Sequence, residues 1–188
     1  MKRYFSYVLV LMLLLGAGAA MAQEEAAAQG DSDWGNPMDW VGKDAAAVKL
    51  PLLDGGELDT EALKGDKVVV LDFWATWCPW CVKSTEHVVE RYNQYKDKGV
   101  DFYMVAVGQG KEPVAKFVEA KELKVPMALD SERKASDTYW VDYIPHVVII
   151  GKDGKVAAVA IGEDKIGAAI DETLERLLSE APAEAPAE

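Results

Sequence analysis

Apolar residues along the chain form runs and repeats that predict alternating strands and helices. Residues Lys67 to Trp74 are apolar and rich in β-branched side chains, interrupted by one acid, which predicts a buried central strand. From Pro79 to Lys98 the apolar residues recur at helical spacing, and a second apolar strand is predicted from Val100 to Val107. Because no hairpin turn separates them, the two strands should pair in parallel through a right-handed crossover.

Shorter elements are predicted on both sides of this unit. They are hairpin strands at 48–50 and 57–58, helices at 113–123, 131–139 and 163–179, an edge strand at 125–129, and hairpin strands at 147–150 and 155–161. The order is a hairpin, a helix, three strand-helix units, a second hairpin and a final helix. We therefore predict an α/β domain with a central mixed sheet and helices on both faces.

The N-terminus has the pattern of a secretory signal peptide. Met1-Lys2-Arg3 precedes an apolar run from Val8 to Leu15, and small residues end at Ala20-Met21-Ala22. We expect residues 1–22 to be cleaved after export to the periplasm, while an uncleaved segment would act as a membrane anchor.

The remaining chain divides into one domain and two polar segments. Residues 23–38 and the Ala/Pro/Glu repeat at 181–188 have no apolar period, so we predict that they are disordered or serve as linkers. The domain is then expected over residues 39–180.

The charge of the chain excludes one class of partner. The sequence has 20 basic and 32 acidic residues, and removal of residues 1–22 takes away Lys2 and Arg3 and no acid, which leaves a net charge of about −14. Phosphate backbones would be repelled by such a surface, and no basic cluster interleaved with aromatic residues offsets it. We expect no nucleic-acid partner.

Both cysteines lie in Trp77-Cys78-Pro79-Trp80-Cys81, where the predicted central strand ends and its helix begins. Exported proteins that use cysteine for stability usually have several pairs, so this pair indicates chemistry. At a helix N-terminus, free backbone N–H groups and the helix dipole favour thiolate over thiol. We predict that Cys78 attacks and that Cys81, one turn inward, resolves the mixed disulfide, while Pro79 suits the first helical position.

Three other interpretations of the pair remain open. A structural disulfide across two intervening residues would stabilise the chain by only about 2 kcal/mol before strain. A zinc site would need two further ligands, and His87 and His146 are the only histidines. A peroxidase normally has Thr or Ser three residues before its attacking cysteine, where this chain has Ala75.

A family resemblance supports the redox interpretation. The segment from Val68 to Cys81, Val-Val-Val-Leu-Asp-Phe-Trp-Ala-Thr-Trp-Cys-Pro-Trp-Cys, together with Tyr143-Ile-Pro-His146, resembles the thioredoxin superfamily. The segment from Trp40 to Gly56 and the long stretch from Val107 to Tyr139 are similar to exported TlpA-like disulfide reductases. The resemblance implies a thioredoxin-like fold with an extra N-terminal β-hairpin, and thiol–disulfide oxidoreductase activity.

The resemblance also implies roles for individual residues. Cys78 matches the family nucleophile and Cys81 its resolving partner. Pro145 matches the cis-proline that faces the disulfide, which would expose the backbone of Ile144 so that a substrate strand can pair beside Cys78. An ordinary trans proline before a strand is the alternative.

One acidic residue and two departures from the family pattern concern proton transfer. Asp72 matches the buried acid of thioredoxins; it should have a raised pKa and shuttle the proton of Cys81, unless it lies solvated at the strand end. Gln109 stands about where some TlpA-like reductases have a glutamate, which would leave proton transfer to Asp72. His146 replaces the usual Thr and either stabilises the Cys78 thiolate or simply starts a strand.

Aromatic residues surround the motif. We expect Trp77 and Trp80, with Pro79, Ile144 and His146, to bind extended peptides. Trp80 should be exposed because it lies between the cysteines. Trp74 belongs either to this surface or to the core.

The resulting hypothesis needs no cofactor and no metal. Reduced Cys78 attacks a disulfide of an exported client, Cys81 releases the client, and a membrane electron donor restores the dithiol of a monomeric protein. The resemblance suggests apocytochrome c as one client. Net oxidase or isomerase activity, and a binding module with an inert disulfide, are the alternatives.

Overall fold

The fold is taken from a computed structural model, which describes residues 35–179. The predicted signal peptide, residues 23–34 of the predicted linker and the tail at 181–188 therefore lie outside the described residues. The first described element is a short 3-10 helix, Pro37–Trp40, which begins two residues before the predicted start of the domain.

Seven strands and four further helices follow. The strands are β1 Lys49–Pro51, β2 Glu57–Asp59, β3 Val68–Trp74, β4 Val100–Val107, β5 Met127–Asp130, β6 His146–Ile150 and β7 Val156–Ile161. The helices are α1 Pro79–Tyr95, α2 Lys111–Ala120, α3 Lys134–Thr138 and α4 Glu163–Ser179. Within residues 35–179, no helix combines the length and the apolar character needed to cross a membrane.

The central sheet has the strand order β5-β4-β3-β6-β7. Strands β3, β4 and β5 run parallel to one another, whereas β6 is antiparallel to both β3 and β7. The predicted mixed sheet is confirmed, with β5 as the expected edge strand. Every residue of β3 is buried, as the apolar run indicated.

Two helix predictions need correction. No helix separates the first hairpin from β3. Residues 60–66 form turns, and Gly65 has φ 88°, a left-handed conformation through which a helix does not continue. The helix predicted over 131–139 is only the five-residue α3. Its start is delayed because Arg133 has a left-handed conformation, with φ 60°.

The sheet separates two apolar cores, since successive side chains of a strand point to opposite faces. Val70, Trp74 and Met104 belong to the first core, which also contains side chains of α1, α2 and α4 and both cysteines. Leu71 and Phe73 belong to the second core, which is closed by α3, Tyr139 and the first hairpin. The predicted helices on both faces are therefore present.

The first hairpin protects an edge of the central sheet. Strands β1 and β2 pair antiparallel in a sheet of their own, with buried Leu50 opposite buried Leu58. Leu53 then donates its N–H to the carbonyl of Met127 at 2.9 Å, beside a bridge between Leu52 and Ala128. The hairpin segment thus partly covers β5, which would otherwise offer an open strand edge.

Candidate active site

The two cysteines lie beyond the carboxyl end of the central strand β3. After Trp74, the last residue of β3, a tight turn is closed by the N–H of Cys78, which donates to the carbonyl of Ala75 at 3.1 Å. Cys78 is the N-cap of α1 and Pro79 its first residue. The sequence prediction for the position of the pair is confirmed.

Cys78 and Cys81 form a disulfide, with their Cα atoms 5.2 Å apart. The backbone N–H of Cys81 donates to the Sγ of Cys78 at 3.1 Å. In the reduced protein, this donor and the positive end of α1 would stabilise a thiolate at Cys78. Cys78 is 5% exposed and Cys81 1%, so Cys78 is the sulfur that a partner can reach more easily.

The loop before β6 packs directly against the disulfide. The Ile144–Pro145 peptide bond is cis, as the resemblance implied. The Sγ of Cys78 lies 3.7 Å from the carbonyl oxygen of Ile144. The carbonyl of Pro145 accepts the N–H of Gly162 at 3.0 Å, which ties this loop to the start of α4.

Three exposed aromatic residues surround the pair, and we call Trp77, Trp80 and Tyr143 the aromatic rim. Their exposed fractions are 68%, 62% and 74%, whereas Trp74 is fully buried in the first core against Phe117. Sequence reasoning assigned no role to Tyr143, although it directly precedes Ile144, whose carbonyl lies 3.7 Å from the Cys78 sulfur. Its position next to Ile144-Pro145 in the sequence was the signal that could have identified it.

The ring of Trp80 is held from one side by a charged pair. The Nζ of Lys83 lies 5.9 Å from the ring centroid and 2.9 Å from a carboxylate oxygen of Glu163. Pro79, between Cys78 and Trp80, is also exposed. This side of the disulfide therefore presents apolar surface with a cation at its border.

Asp72 is buried in the middle of β3, so a solvated position at the strand end is excluded. Neither carboxyl oxygen has a hydrogen-bond partner among the described residues. Burial raises the pKa of Asp72 to about 7, in the expected direction. Because Val70 and Trp74 alternate with it along β3, Asp72 faces the first core, which contains both cysteines.

His146 does not join the site. It is fully buried at the start of β6, directly opposite Phe73, with the two ring centroids 6.0 Å apart. Residues opposite each other in paired strands share a face, so His146 faces the second core, across the sheet from the cysteines. This corrects the expectation that His146 contacts substrate or the Cys78 thiolate.

Burial also determines the charge of His146. Both ring nitrogens lack a hydrogen-bond partner within the described part of the chain. Desolvation lowers the pKa of His146 to about 4, so the imidazole is neutral at pH 7.

Gln109 lies in the loop between β4 and α2. Because β4 is parallel to β3, this loop is at the same end of the sheet as the cysteines. Its Oε1 accepts the backbone N–H of Thr76 at 2.8 Å, and its Nε2 donates to the hydroxyl of Thr76 at 2.9 Å. The loop that carries Gln109 is therefore joined to the turn that carries Cys78.

Comparison with known proteins agrees with this geometry. Residues 41–159 match the family model described as AhpC/TSA family. The chain belongs to the AhpC/TSA family.

Two relatives of similar sequence are named thiol-disulfide oxidoreductases. Thiol-disulfide oxidoreductase ResA of Bacillus anthracis is 38% identical over 123 residues, which cover 65% of this chain and 70% of that protein. ResA of Bacillus subtilis (strain 168) is 35% identical over 121 residues, covering 64% and 67%.

Solved structures give the same result. The thioredoxin domain of a thiol-disulfide oxidoreductase from Bacteroides vulgatus matches with a TM-score of 0.62 at 27% identity, covering 70% of this chain and 96% of that one. A thiol:disulfide interchange protein from Bacteroides sp. matches with a TM-score of 0.62 at 26% identity, covering 75% and 91%. The thioredoxin-like fold and the redox class are confirmed, and this AhpC/TSA family member is a thiol–disulfide oxidoreductase.

Asp72→Asn should stabilise the oxidised protein increasingly as the pH rises. The pKa of this carboxyl is about 7 in the fold and near 3.8 without burial, so its contribution to stability is present below pH 3.8 and is lost as the pH rises to 7. A shift of about three pKa units corresponds to about 4 kcal/mol. Denaturant unfolding of both proteins at pH 4 and pH 8 measures the change.

The control is Asp54→Asn, which alters an exposed carboxylate at the tip of the first hairpin. Its effect on the free energy of unfolding should be small at both pH values. If the advantage of Asp72→Asn is equal at pH 4 and pH 8, Asp72 does not carry the raised pKa.

His146→Val should show the opposite dependence on pH. The pKa of His146 is about 4 in the fold and 6.5 without burial, so the stability of the neutral ring is present above pH 6.5 and is lost as the pH falls to 4. The advantage of the valine variant should therefore grow by about 3 kcal/mol between pH 7.5 and pH 4. Unfolding curves at these two values measure it, with His87→Gln as the matched histidine control; an advantage that shrinks on acidification contradicts the assignment.

Proposed function

We propose that the protein is an exported thiol–disulfide oxidoreductase that reduces disulfides of exported client proteins. The proposal is carried by the disulfide at the start of α1, whose Cys78 sulfur lies 3.7 Å from the Ile144 carbonyl and beside the aromatic rim. This arrangement places the more exposed of the two sulfurs beside a backbone carbonyl and an apolar contact surface.

The reaction is a two-electron exchange in two steps. The thiolate of Cys78 attacks one sulfur of the client disulfide; a Cys78–client disulfide forms, and the other client sulfur leaves as a thiolate. The thiolate of Cys81 then attacks Cys78, which forms the Cys78–Cys81 disulfide and releases the second client thiolate. The client is reduced and the protein is oxidised by two electrons.

Asp72 is the group proposed to take the proton of Cys81. Its pKa of about 7 allows it to accept and return a proton near neutral pH. It faces the first core, to which Cys81 belongs, and it has no competing hydrogen bond among the described residues. Gln109, as an amide, cannot serve as the base.

Client binding is proposed to use the backbone as well as the rim. An extended client segment would lie along Ile144, whose carbonyl is beside Cys78, and its side chains would contact Trp77, Trp80 and Tyr143. Because the rim is aromatic, clients with apolar residues next to the disulfide should bind best.

Export and the electron source are part of the same proposal. Residues 1–22 have a signal-peptide pattern, and a reductase acting outside the cytoplasm needs two electrons and two protons from a membrane donor after each cycle. Apocytochrome c is the client class that the family resemblance suggests. The protein is proposed to act as a monomer in the periplasm.

The alternative is net oxidation or isomerisation by the same pair. The disulfide is present in the structure, and the first step can run in either direction, so the reduction potential decides between the two. Pro79 and Trp80, between the cysteines, do not fix this value from first principles.

The reduction potential of the Cys78–Cys81 pair should lie well below about −200 mV, because the protein donates electrons. Equilibration in glutathione or dithiothreitol buffers, followed by Trp fluorescence, measures it. The variant with both cysteines changed to serine is the control and should show no transition. A value near −120 mV is typical of a strong oxidant and would reverse the proposed direction.

The exported protein should begin at Gln23. Mass spectrometry of the protein recovered from the extracytoplasmic fraction checks this, and Ala22→Leu, which places a large residue at the cleavage site, should slow processing. Recovery in a membrane fraction with residues 1–22 intact supports export with an anchor. Recovery of the uncleaved chain in the cytoplasmic fraction contradicts export.

A further inference from the structure

The turn that presents Cys78 depends on a residue from another loop. Ala75, Thr76, Trp77 and Cys78 form the turn, and its closing hydrogen bond joins Cys78 to Ala75. Thr76 lies at its first central position, where the backbone N–H has no partner within the turn. The amide of Gln109 supplies that partner and also binds the hydroxyl of Thr76.

Gln109 is itself held from the opposite side. Its backbone carbonyl, not its side-chain amide, accepts the hydroxyl of Ser131 at 2.8 Å, and the N–H of Gly108 donates to the carbonyl of Asp130 at 2.9 Å. Gly108 has φ 63°, a left-handed conformation that glycine adopts without the steric cost of a side chain. Gln109 as a whole is 9% exposed, so the residue is fixed by packing as well as by hydrogen bonds.

We propose that Gln109 is a positioning residue that acts through Thr76 to set the direction of Trp77 beside the reactive sulfur. Trp77 follows Thr76 directly, so the conformation of the turn sets the direction in which its Cα–Cβ bond leaves the backbone. At 68% exposure, neighbouring side chains cover little of Trp77, so the turn is the main constraint on its position. A turn held at Thr76 presents Trp77 as a preformed part of the client surface.

An amide suits this task better than other side chains. It accepts from the N–H and donates to the hydroxyl at the same time, and it carries no charge. A carboxylate could accept both hydrogens if the hydroxyl of Thr76 rotates, but it would add a negative charge near a thiolate. An apolar side chain of equal length would leave the N–H of Thr76 without this acceptor.

Two properties of the site depend on different contacts. The thiolate of Cys78 depends on the N-terminus of α1 and on the N–H of Cys81, neither of which involves Gln109. Contact with a large client depends on Trp77. Loss of the amide should therefore slow exchange with a peptide disulfide and leave exchange with a small disulfide nearly unchanged.

The test compares Gln109→Met, Gln109→Glu and Ser131→Ala in the reduced protein. The rate constant of thiol–disulfide exchange is measured with a peptide disulfide that has aromatic residues next to its cysteines, and with the small disulfide 5,5′-dithiobis(2-nitrobenzoate). Gln109→Met should lower the peptide rate about tenfold, which corresponds to about 1.4 kcal/mol, and the small-disulfide rate less than twofold. Gln109→Glu and Ser131→Ala should remain within about threefold of the unchanged protein.

Several results would overturn the inference. These are a peptide rate of Gln109→Met within twofold of the unchanged protein, equal losses with both disulfides, or a loss in Gln109→Glu or Ser131→Ala as large as in Gln109→Met. If Gln109→Met does not fold, Thr76→Val removes one of the two hydrogen bonds from the other side and should give a smaller loss with the same selectivity. The assay follows exchange itself, so its outcome is independent of the net direction proposed above.

Discussion

The complete burial of β3 is the constraint on which the rest of the structure depends. A strand without a solvent-facing side needs an apolar core on each face, and these cores are supplied by α1, α2 and α4 on one side and by α3 and the first hairpin on the other. The parallel neighbour β4 then requires the chain to cross over through a helix. That helix is α1, and its first turn contains the cysteines. The helix that connects the buried strand to its parallel neighbour therefore also supplies the helix N-terminus at which Cys78 reacts.

The same burial has an electrostatic consequence at the centre of the sheet. Asp72 and His146 lie on adjacent strands with no hydrogen-bond partner for their side chains within residues 35–179. Desolvation raises the pKa of the acid to about 7 and lowers that of the imidazole to about 4. Between these two values both groups are largely neutral in the fold. In the unfolded chain, however, Asp72 is ionised above about pH 3.8 and His146 is protonated below about pH 6.5. The cost of burying Asp72 therefore grows as the pH rises to about 7, and the cost of burying His146 grows as the pH falls to about 4.

The sequence was sufficient where local patterns determine the structure. The apolar run of β3, the helical spacing of α1 and the position of Cys78 between them follow from residues that are neighbours in the chain. The helix predicted before β3 is absent because residues 60–66 form only turns, which end at the left-handed Gly65. The periodicity of apolar residues does not report the backbone conformation of a single glycine.

Features that depend on strand register or on distant loops could not be read from sequence. The side of the sheet on which His146 lies depends on its pairing with Phe73, and a shift by one residue would have moved the imidazole to the cysteine side. The contact between Gln109 and Thr76 joins residues 33 positions apart. The exposure of Tyr143 likewise depends on how the loop before β6 meets the start of α1.

Local contacts and contacts between distant segments contribute to different parts of the site. The groups that stabilise the Cys78 thiolate are local, because they belong to the first turn of α1. The groups that would meet a client come from three separate segments: the turn after β3, the first turn of α1 and the loop before β6. If the proposed roles hold, substitutions at Tyr143, or at Gln109, which binds Thr76, should alter which clients bind more than they alter the acidity of the thiol. Under the proposed function, client choice depends mainly on these tertiary contacts, whereas stabilisation of the Cys78 thiolate depends mainly on the first turn of α1.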